Sequence, residues 1–214
     1  MVIDASVAAQ TAAYLLQIKA IKLQPEQPFV WASGWKSPIY CDNRLSLSYP
    51  KVRNFIKENL IAGIREKFGE PEVIAGVATG AIAIGILVAQ EMNLPFIYVR
   101  PEPKAHGRQN QIEGHLGKGA RVVVIEDLIS TGGSSLNAVE ALRKEDCEIK
   151  GMAAIFTYAF EKTRENFQSH QVDYFTLCDY PHLIEKVKAD DGLSESTLEL
   201  LQAWRRSPNN WSNE

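Results

Sequence analysis

Three features of the sequence predict an α/β fold, a mostly parallel sheet flanked by helices with a small N-terminal hood. From Tyr49 onward, apolar segments of strand length alternate with segments of helical periodicity, as in sheets whose parallel strands are joined by helices. The run 122–125, Val-Val-Val-Ile, is wholly apolar, which is typical of a strand buried on both faces. A length of 214 residues, 45% of them hydrophobic and 23% charged, suits one buried domain with an appendage,.

The N-terminal part predicts a helix followed by short strands. Apolar residues recur at helical spacing over residues 5–22, and Pro25 and Pro28 then break the pattern,. Residues 29–31 and 39–41 are typical of short strands, and they flank a turn at Ser33–Gly34,. We call this hairpin the hood. We expect one domain, with the N-terminal helix and hood over 1–48, the α/β core over 49–206 and a polar tail over 207–214.

The core pattern predicts elements in the following order. The helices are expected over residues 50–67, 81–91, 133–143, 182–188 and 194–206, and the strands over 73–75, 96–99, 111–116, 122–125, 151–157 and 173–177,. Residues 100–107 contain two prolines and a glycine, which predicts a loop.

Composition excludes several classes of protein. A net charge of -3 and a pI near 5.9 give no general attraction to nucleic acid or to anionic membranes,. Cys41, Cys147 and Cys178 are widely spaced and contain no Cys-x-x-Cys pair, which argues against a disulfide framework or a zinc site, and we assign no side chain as a metal ligand. No apolar run reaches the length of a membrane span and no signal peptide is evident, so we expect a cytoplasmic protein with no membrane or nucleic-acid partner.

The most informative segment follows the apolar strand at residue 125. Ser130, Thr131 and Ser134 offer hydroxyl groups, and Gly132–Gly133 allow close approach of the backbone. The next helix directs free N–H groups and its positive end at the same turn. Because ligands of open parallel sheets lie beyond the carboxyl ends of the strands, we predict a phosphate-binding site here.

Two acidic residues lie beside this turn, separated from its first hydroxyl residue by two positions. Glu126 and Asp127 would repel a bare phosphate if they faced it, but carboxylates suit neutral ribose hydroxyls or a bound cation. The predicted ligand therefore contains both sugar and phosphate.

A second cluster lies in the loop after residue 99. Arg100, Lys104 and His106 place three potential cations within seven residues, a natural clamp for a charged leaving group such as pyrophosphate. A solvated basic loop is the alternative interpretation.

These segments resemble a known family. The string 122–134, an apolar strand, an acidic pair, two apolar residues and a hydroxyl- and glycine-rich loop, is similar to the motif that binds phosphoribosyl pyrophosphate (PRPP) in type I phosphoribosyltransferases. The pattern Arg-x-x-x-Lys-x-His-Gly from Arg100, followed by Ile-Glu-Gly, resembles the catalytic loop of the orotate phosphoribosyltransferases. Residues 29–42 are similar to the N-terminal signature that covers orotate in that family, and 76–81 are a weaker match to its pyrophosphate-binding turn.

The resemblance implies a Mg²⁺-dependent transfer of ribose 5-phosphate from PRPP to orotate, in a homodimer whose catalytic loop reaches the neighbouring subunit. It implies catalytic roles for Lys104, His106 and Arg100, with His106 either offsetting charge or donating a proton, and orotate contacts by Ser130, Ser33 and Gly34. The implied PRPP contacts are Arg100, Lys104, His106, Glu126, Asp127, Leu128, Ile129, Ser130, Thr131, Gly132, Gly133 and Ser134.

The sequence also departs from the pattern. Several members have a lysine where Pro101 stands, and some have a lysine at the position of Ala32 and an arginine near that of Thr157–Tyr158. Three other functions compete: a purine phosphoribosyltransferase, a PRPP-sensing regulator and an inactive homologue. The first would lack the loop and hood patterns, the second would need a basic N-terminal DNA-binding domain, and the cations retained at positions 100, 104 and 106 argue against the third.

Overall fold

The computed structural model describes residues 1–31, 34–103, 110–190 and 194–211. The helices are α1 (Ala5–Gln17), α2 (Pro50–Phe68), α3 (Ile82–Met92), α4 (Gly133–Arg143), α5 (Glu161–Ser169), α6 (Tyr180–Ala189) and α7 (Glu195–Arg206), with a 3-10 helix at Asn43–Ser48. The strands are β1 (Ile21–Leu23), β2 (Phe29–Val30), β3 (Lys36–Ser37), β4 (Ile39–Cys41), β5 (Val73–Val77), β6 (Phe96–Val99), β7 (Ile112–Glu113), β8 (Arg121–Ile129), β9 (Glu148–Thr157) and β10 (Tyr174–Asp179).

A six-stranded sheet in the order β10-β9-β8-β5-β6-β7 forms the centre of the molecule. Its strands are parallel except β7, which pairs antiparallel with β6. The predicted mostly parallel sheet is therefore confirmed. In the part of the chain that the structure describes, no helix has the length and apolar character needed to cross a membrane.

The central strand β8 contributes to a hydrophobic core on each face of the sheet. Val123 and Ile125 pack into one cluster, which also holds buried residues of α1, α2 and α3. Val122 and Val124 pack into the other, with buried residues of α4. A strand covered on both faces can be apolar at every position, which explains the uninterrupted run.

The N-terminal region differs from its prediction at two points. The predicted helix over 5–22 is too long, because it ends at Gln17 and Lys19 takes a left-handed backbone with φ 58°. Residues 21–23 instead form β1, which pairs antiparallel with β4. The hood strand β2 pairs with β3, so the strands at 29–30 and 39–41 belong to different two-stranded sheets.

Three core elements also differ from their predictions. The strand predicted over 111–116 is limited to residues 112–113, since Gly114 has a φ of 108°. The strand predicted over 122–125 continues to Ile129, because Glu126 lies in the interior as a strand residue. Helix α5 was not predicted at all, since only Thr163 and Phe167 of its nine residues are buried, and two buried residues give no apolar periodicity.

Candidate active site

The phosphate-binding turn lies at the point where the strand order reverses. From β5 the chain continues through α3 to β6 on one side, whereas β8 pairs with the other side of β5. Gly76 of β5 is in register with Ile125 of β8, so the carboxyl ends of the two strands are adjacent. Crevices of this kind are where open α/β sheets bind their ligands.

The turn after β8 presents free N–H groups at the start of α4. Gly132 has a φ of 88°, a left-handed conformation that favours glycine, and α4 begins at the next residue,. Gly133 and Ser134 are exposed. Within the described ranges, the backbone N–H groups of Gly132, Gly133 and Ser134 donate to no acceptor, as expected at a helix start that can receive an anion.

The two acidic residues occupy different environments. Glu126 is only 4% exposed and accepts hydrogen bonds from the Asp127 backbone N–H and the Ser135 hydroxyl, each at 2.9 Å. Burial, and then the neighbouring Asp127, raise the pKa of Glu126 well above the ordinary glutamate value,. Asp127 is partly exposed and lies against the turn between β5 and α3, where a Cβ atom on Gly80 would be 2.2 Å from Asp127 Oδ2.

The predicted catalytic loop leaves the sheet beside this crevice. Arg100 follows β6 directly, and its Nη1 lies 3.5 Å from Glu113 Oε1. The Arg100 N–H donates to the Gln111 carbonyl at 2.8 Å, and Gln111 Nε2 donates back to the Arg100 carbonyl at 2.9 Å. These bonds close the base of the loop. Lys104 and His106 lie outside the described residues.

The hood is joined to the core on two sides. Trp204 of α7 donates from Nε1 to the Lys36 carbonyl at 3.2 Å, and its ring is 5.7 Å from that of Trp31. Just after the hood, Asn43 donates from Nδ2 to the Asp127 carbonyl at 2.6 Å. Gly34 forms the hood turn with a φ of 85°, whereas Ser33 is outside the described residues.

Known proteins match nearly the whole chain. Residues 52–191 match the model of the phosphoribosyl transferase domain. An orotate phosphoribosyltransferase of Porphyromonas gingivalis is 54% identical over 200 residues, which cover 94% of this chain and 95% of that protein. One from Listeria monocytogenes is 49% identical over 206 residues, covering 96% and 99% of the two chains. The chain belongs to the orotate phosphoribosyltransferase family.

Solved structures agree with this family and with its fold. The crystal structure of orotate phosphoribosyltransferase from Aeropyrum pernix has a TM-score of 0.74 and 28% identity, covering 83% of this chain and 98% of that chain. Members of this family are phosphoribosyltransferases, enzymes of the glycosyltransferase class. Membership favours orotate over the purine alternative, since the relatives at about half identity carry the orotate name.

Several residues near the site were not singled out from the sequence. Ser135 and Asn43 contact the acidic pair, and Thr163 and Asn166 of α5 contact the phosphate-binding turn. For Ser135 a signal exists, since it extends the hydroxyl-rich run that begins at Ser130. No sequence signal identifies the other three, because they act through contacts with residues 33 to 84 positions away.

Proposed function

We propose that the crevice between β5 and β8 transfers ribose 5-phosphate from PRPP to orotate, giving orotidine 5'-monophosphate and pyrophosphate in pyrimidine biosynthesis. The observation that carries this proposal is the set of unpaired N–H groups at the start of α4, next to the carboxylates of Glu126 and Asp127. A phosphate and a ribose joined together fit this combination, whereas the acidic pair would disfavour a bare phosphate.

PRPP would lie along the carboxyl ends of the central strands. Its 5-phosphate would meet the turn at 130–134, and Leu128 and Ile129 would contact PRPP from the strand end that leads there. Its ribose hydroxyls would donate to Asp127, whose carboxylate lies against Gly80 and whose backbone N–H donates to the buried Glu126. The pyrophosphate would extend toward Arg100, at the neighbouring strand end.

The reaction needs no protein nucleophile. A ring nitrogen of orotate forms the new bond to the anomeric carbon as the bond from that carbon to pyrophosphate breaks, and the electron pair of the broken bond leaves with pyrophosphate. Positive charge on the ribose is greatest in the transition state, when the bond to pyrophosphate is largely broken and the bond to orotate is only partly formed. Arg100, Lys104 and His106 would offset the charge on pyrophosphate, with proton donation by His106 as the alternative, and loop closure would exclude water.

Magnesium fits the donor groups at the site. In the described part of the chain, no group of three or more His, Cys, Asp and Glu side chains is placed to hold a metal ion. Magnesium commonly uses one or two protein carboxylates and takes its other ligands from substrate phosphates and water. Asp127 would supply the protein oxygen, and the bound ion would add positive charge at the pyrophosphate.

We further propose that residues 1–214 act as one domain and that Ser130, Ser33 and Gly34 contact orotate under the hood. The enzyme would work as a homodimer in which Lys104 and His106 enter the partner subunit's site.

The base of the loop that carries these two residues is held by its own subunit, since Asn137 Nδ2 of α4 donates to the Pro101 carbonyl at 3.1 Å.

The first test follows the near-ultraviolet absorbance of orotate with PRPP and Mg²⁺. We expect orotate to be consumed by the intact protein, and Lys104→Ala to be slower by roughly two orders of magnitude, the usual cost of removing a group that stabilises transition-state charge. Lys118→Ala is the control. Lys118 is exposed, lies before the start of β8 and forms an ion pair with Asp146. Omitting Mg²⁺ should also abolish turnover. If only a purine base reacts, the orotate assignment is wrong.

A further inference from the structure

Helix α5 lies directly behind the phosphate-binding turn. Two successive carbonyl groups of the turn accept hydrogen bonds from side chains of α5: that of Ser130 from Thr163 Oγ1, and that of Thr131 from Asn166 Nδ2 at 2.9 Å. The carbonyl just before them, that of Ile129, accepts from Thr157 Oγ1 at the end of β9, at 2.9 Å. The same helix packs against Gly132, where a Cβ atom would be 2.7 Å from the Phe167 ring. The turn therefore rests on α5.

Peptide geometry gives these contacts a consequence on the opposite side of the turn. In a trans peptide the carbonyl of one residue and the N–H of the next point in opposite directions. A carbonyl of Ser130 held toward Thr163 aims the N–H of Thr131 away from α5, and a carbonyl of Thr131 held toward Asn166 does the same for the N–H of Gly132. Neither N–H donates to a backbone acceptor within the described ranges.

We propose that Thr163 and Asn166 are positioning residues for the 5-phosphate. They hold two carbonyl dipoles away from the ligand and so aim two N–H groups at it before it binds. Without these donors, a carbonyl of the turn gains by rotating toward water, which replaces an attractive N–H with a repulsive oxygen at the phosphate. This inference rests on the proposed function, because that function places the 5-phosphate in the turn.

The Thr163 hydroxyl can be removed almost without change of shape. Thr163→Val should weaken binding of ribose 5-phosphate, and raise the KM for PRPP, by roughly tenfold, the effect of leaving one buried carbonyl unpaired. Thr163→Ser keeps the donor and should restore binding. Binding of pyrophosphate with Mg²⁺ should be unchanged in both, because pyrophosphate occupies the other end of the crevice.

The chain contains matched controls for both positions. Thr176 of β10 is as fully buried as Thr163, but its hydroxyl has no partner, so Thr176→Val should leave the affinity for ribose 5-phosphate unchanged. Asn59 of α2 donates from Nδ2 to the Phe55 carbonyl at 2.8 Å, far from the site. We expect Asn166→Leu to weaken ribose 5-phosphate binding several-fold and Asn59→Leu to have no such effect.

Calorimetric titration of each variant with ribose 5-phosphate and with pyrophosphate decides the matter. The inference is overturned if Thr163→Val weakens both ligands equally, or weakens ribose 5-phosphate no more than Thr176→Val does. Normal turnover of orotate by the intact protein would show that the proposed function survives that outcome. If Thr163→Val acts as expected while the intact protein fails to consume orotate, the inference stands and the base assignment fails.

Discussion

Glu126 is a carboxylate in a place where negative charge is costly. Burial and Asp127 raise its pKa, so the folded protein binds the Glu126 proton more tightly than the unfolded chain does. Its contribution to stability is therefore complete below the pKa of the unfolded chain and is lost as the pH rises through the folded pKa. Glu126→Gln removes the charge and can keep both hydrogen bonds, accepting from the Asp127 N–H and donating to Ser135 Oγ.

We predict that Glu126→Gln raises the melting temperature by a few degrees at neutral and higher pH, and that the gain shrinks as the pH falls toward the ordinary glutamate pKa. Differential scanning calorimetry across this range measures the effect. Glu66→Gln, at an exposed position of α2, should show no such trend. A gain that is the same at every pH would mean that the charge of Glu126 is not its source.

At the scale of elements, the connection between β5 and α3 packs closely against the end of β8. A Cβ atom on Gly80 would meet all three terminal atoms of the Asp127 carboxylate, the farthest at 2.6 Å. Gly80→Ala should therefore turn this carboxylate away from the ribose while leaving the backbone in place. We expect the KM for PRPP to rise by roughly tenfold or more, as for a lost hydrogen bond to a charged group, with little change in melting temperature.

Gly117→Ala is the matched control for this connection. Gly117 has no atom within 4 Å of the added carbon and lies before β8, away from the carboxyl ends of the strands. Steady-state kinetics of the two variants give the comparison. An unchanged KM for PRPP in Gly80→Ala would show that Asp127 does not bind the ribose in its present orientation.

Elements whose role is burial could be predicted from the sequence, and elements whose role is polar support could not. The apolar run at 122–125 identified β8 because both faces of that strand are covered. Helix α5 left no such pattern, since it exposes most of its residues and its Thr163 and Asn166 act on the phosphate-binding turn. The turn itself was predicted by its residue types, whereas the donors behind it depend on long-range packing that no local pattern records.

At the scale of the whole molecule, the C-terminal helix α7 packs against the hood near the start of the chain. The four tryptophans are Trp31 and Trp35 in the hood, Trp204 in α7 and Trp211 just after it. Tryptophan fluorescence therefore reports the hood and its support, whereas far-ultraviolet circular dichroism reports mainly the helices and sheet of the core. If the chain is one domain, unfolding in urea should give the same midpoint by both methods.

Trp204→Phe extends this prediction to the contact that joins α7 to the hood. The change removes the hydrogen bond to the Lys36 carbonyl and leaves a cavity among buried rings, so it should cost about 2 to 4 kcal/mol. In a single cooperative domain both midpoints fall together. Trp211→Phe is the control, and its effect should be smaller because Trp211 is only partly buried at the edge of the core cluster. If the fluorescence midpoint falls while the circular dichroism midpoint stays unchanged, the hood unfolds independently of the core. The core would then keep its structure after the hood had lost its contact with Trp204.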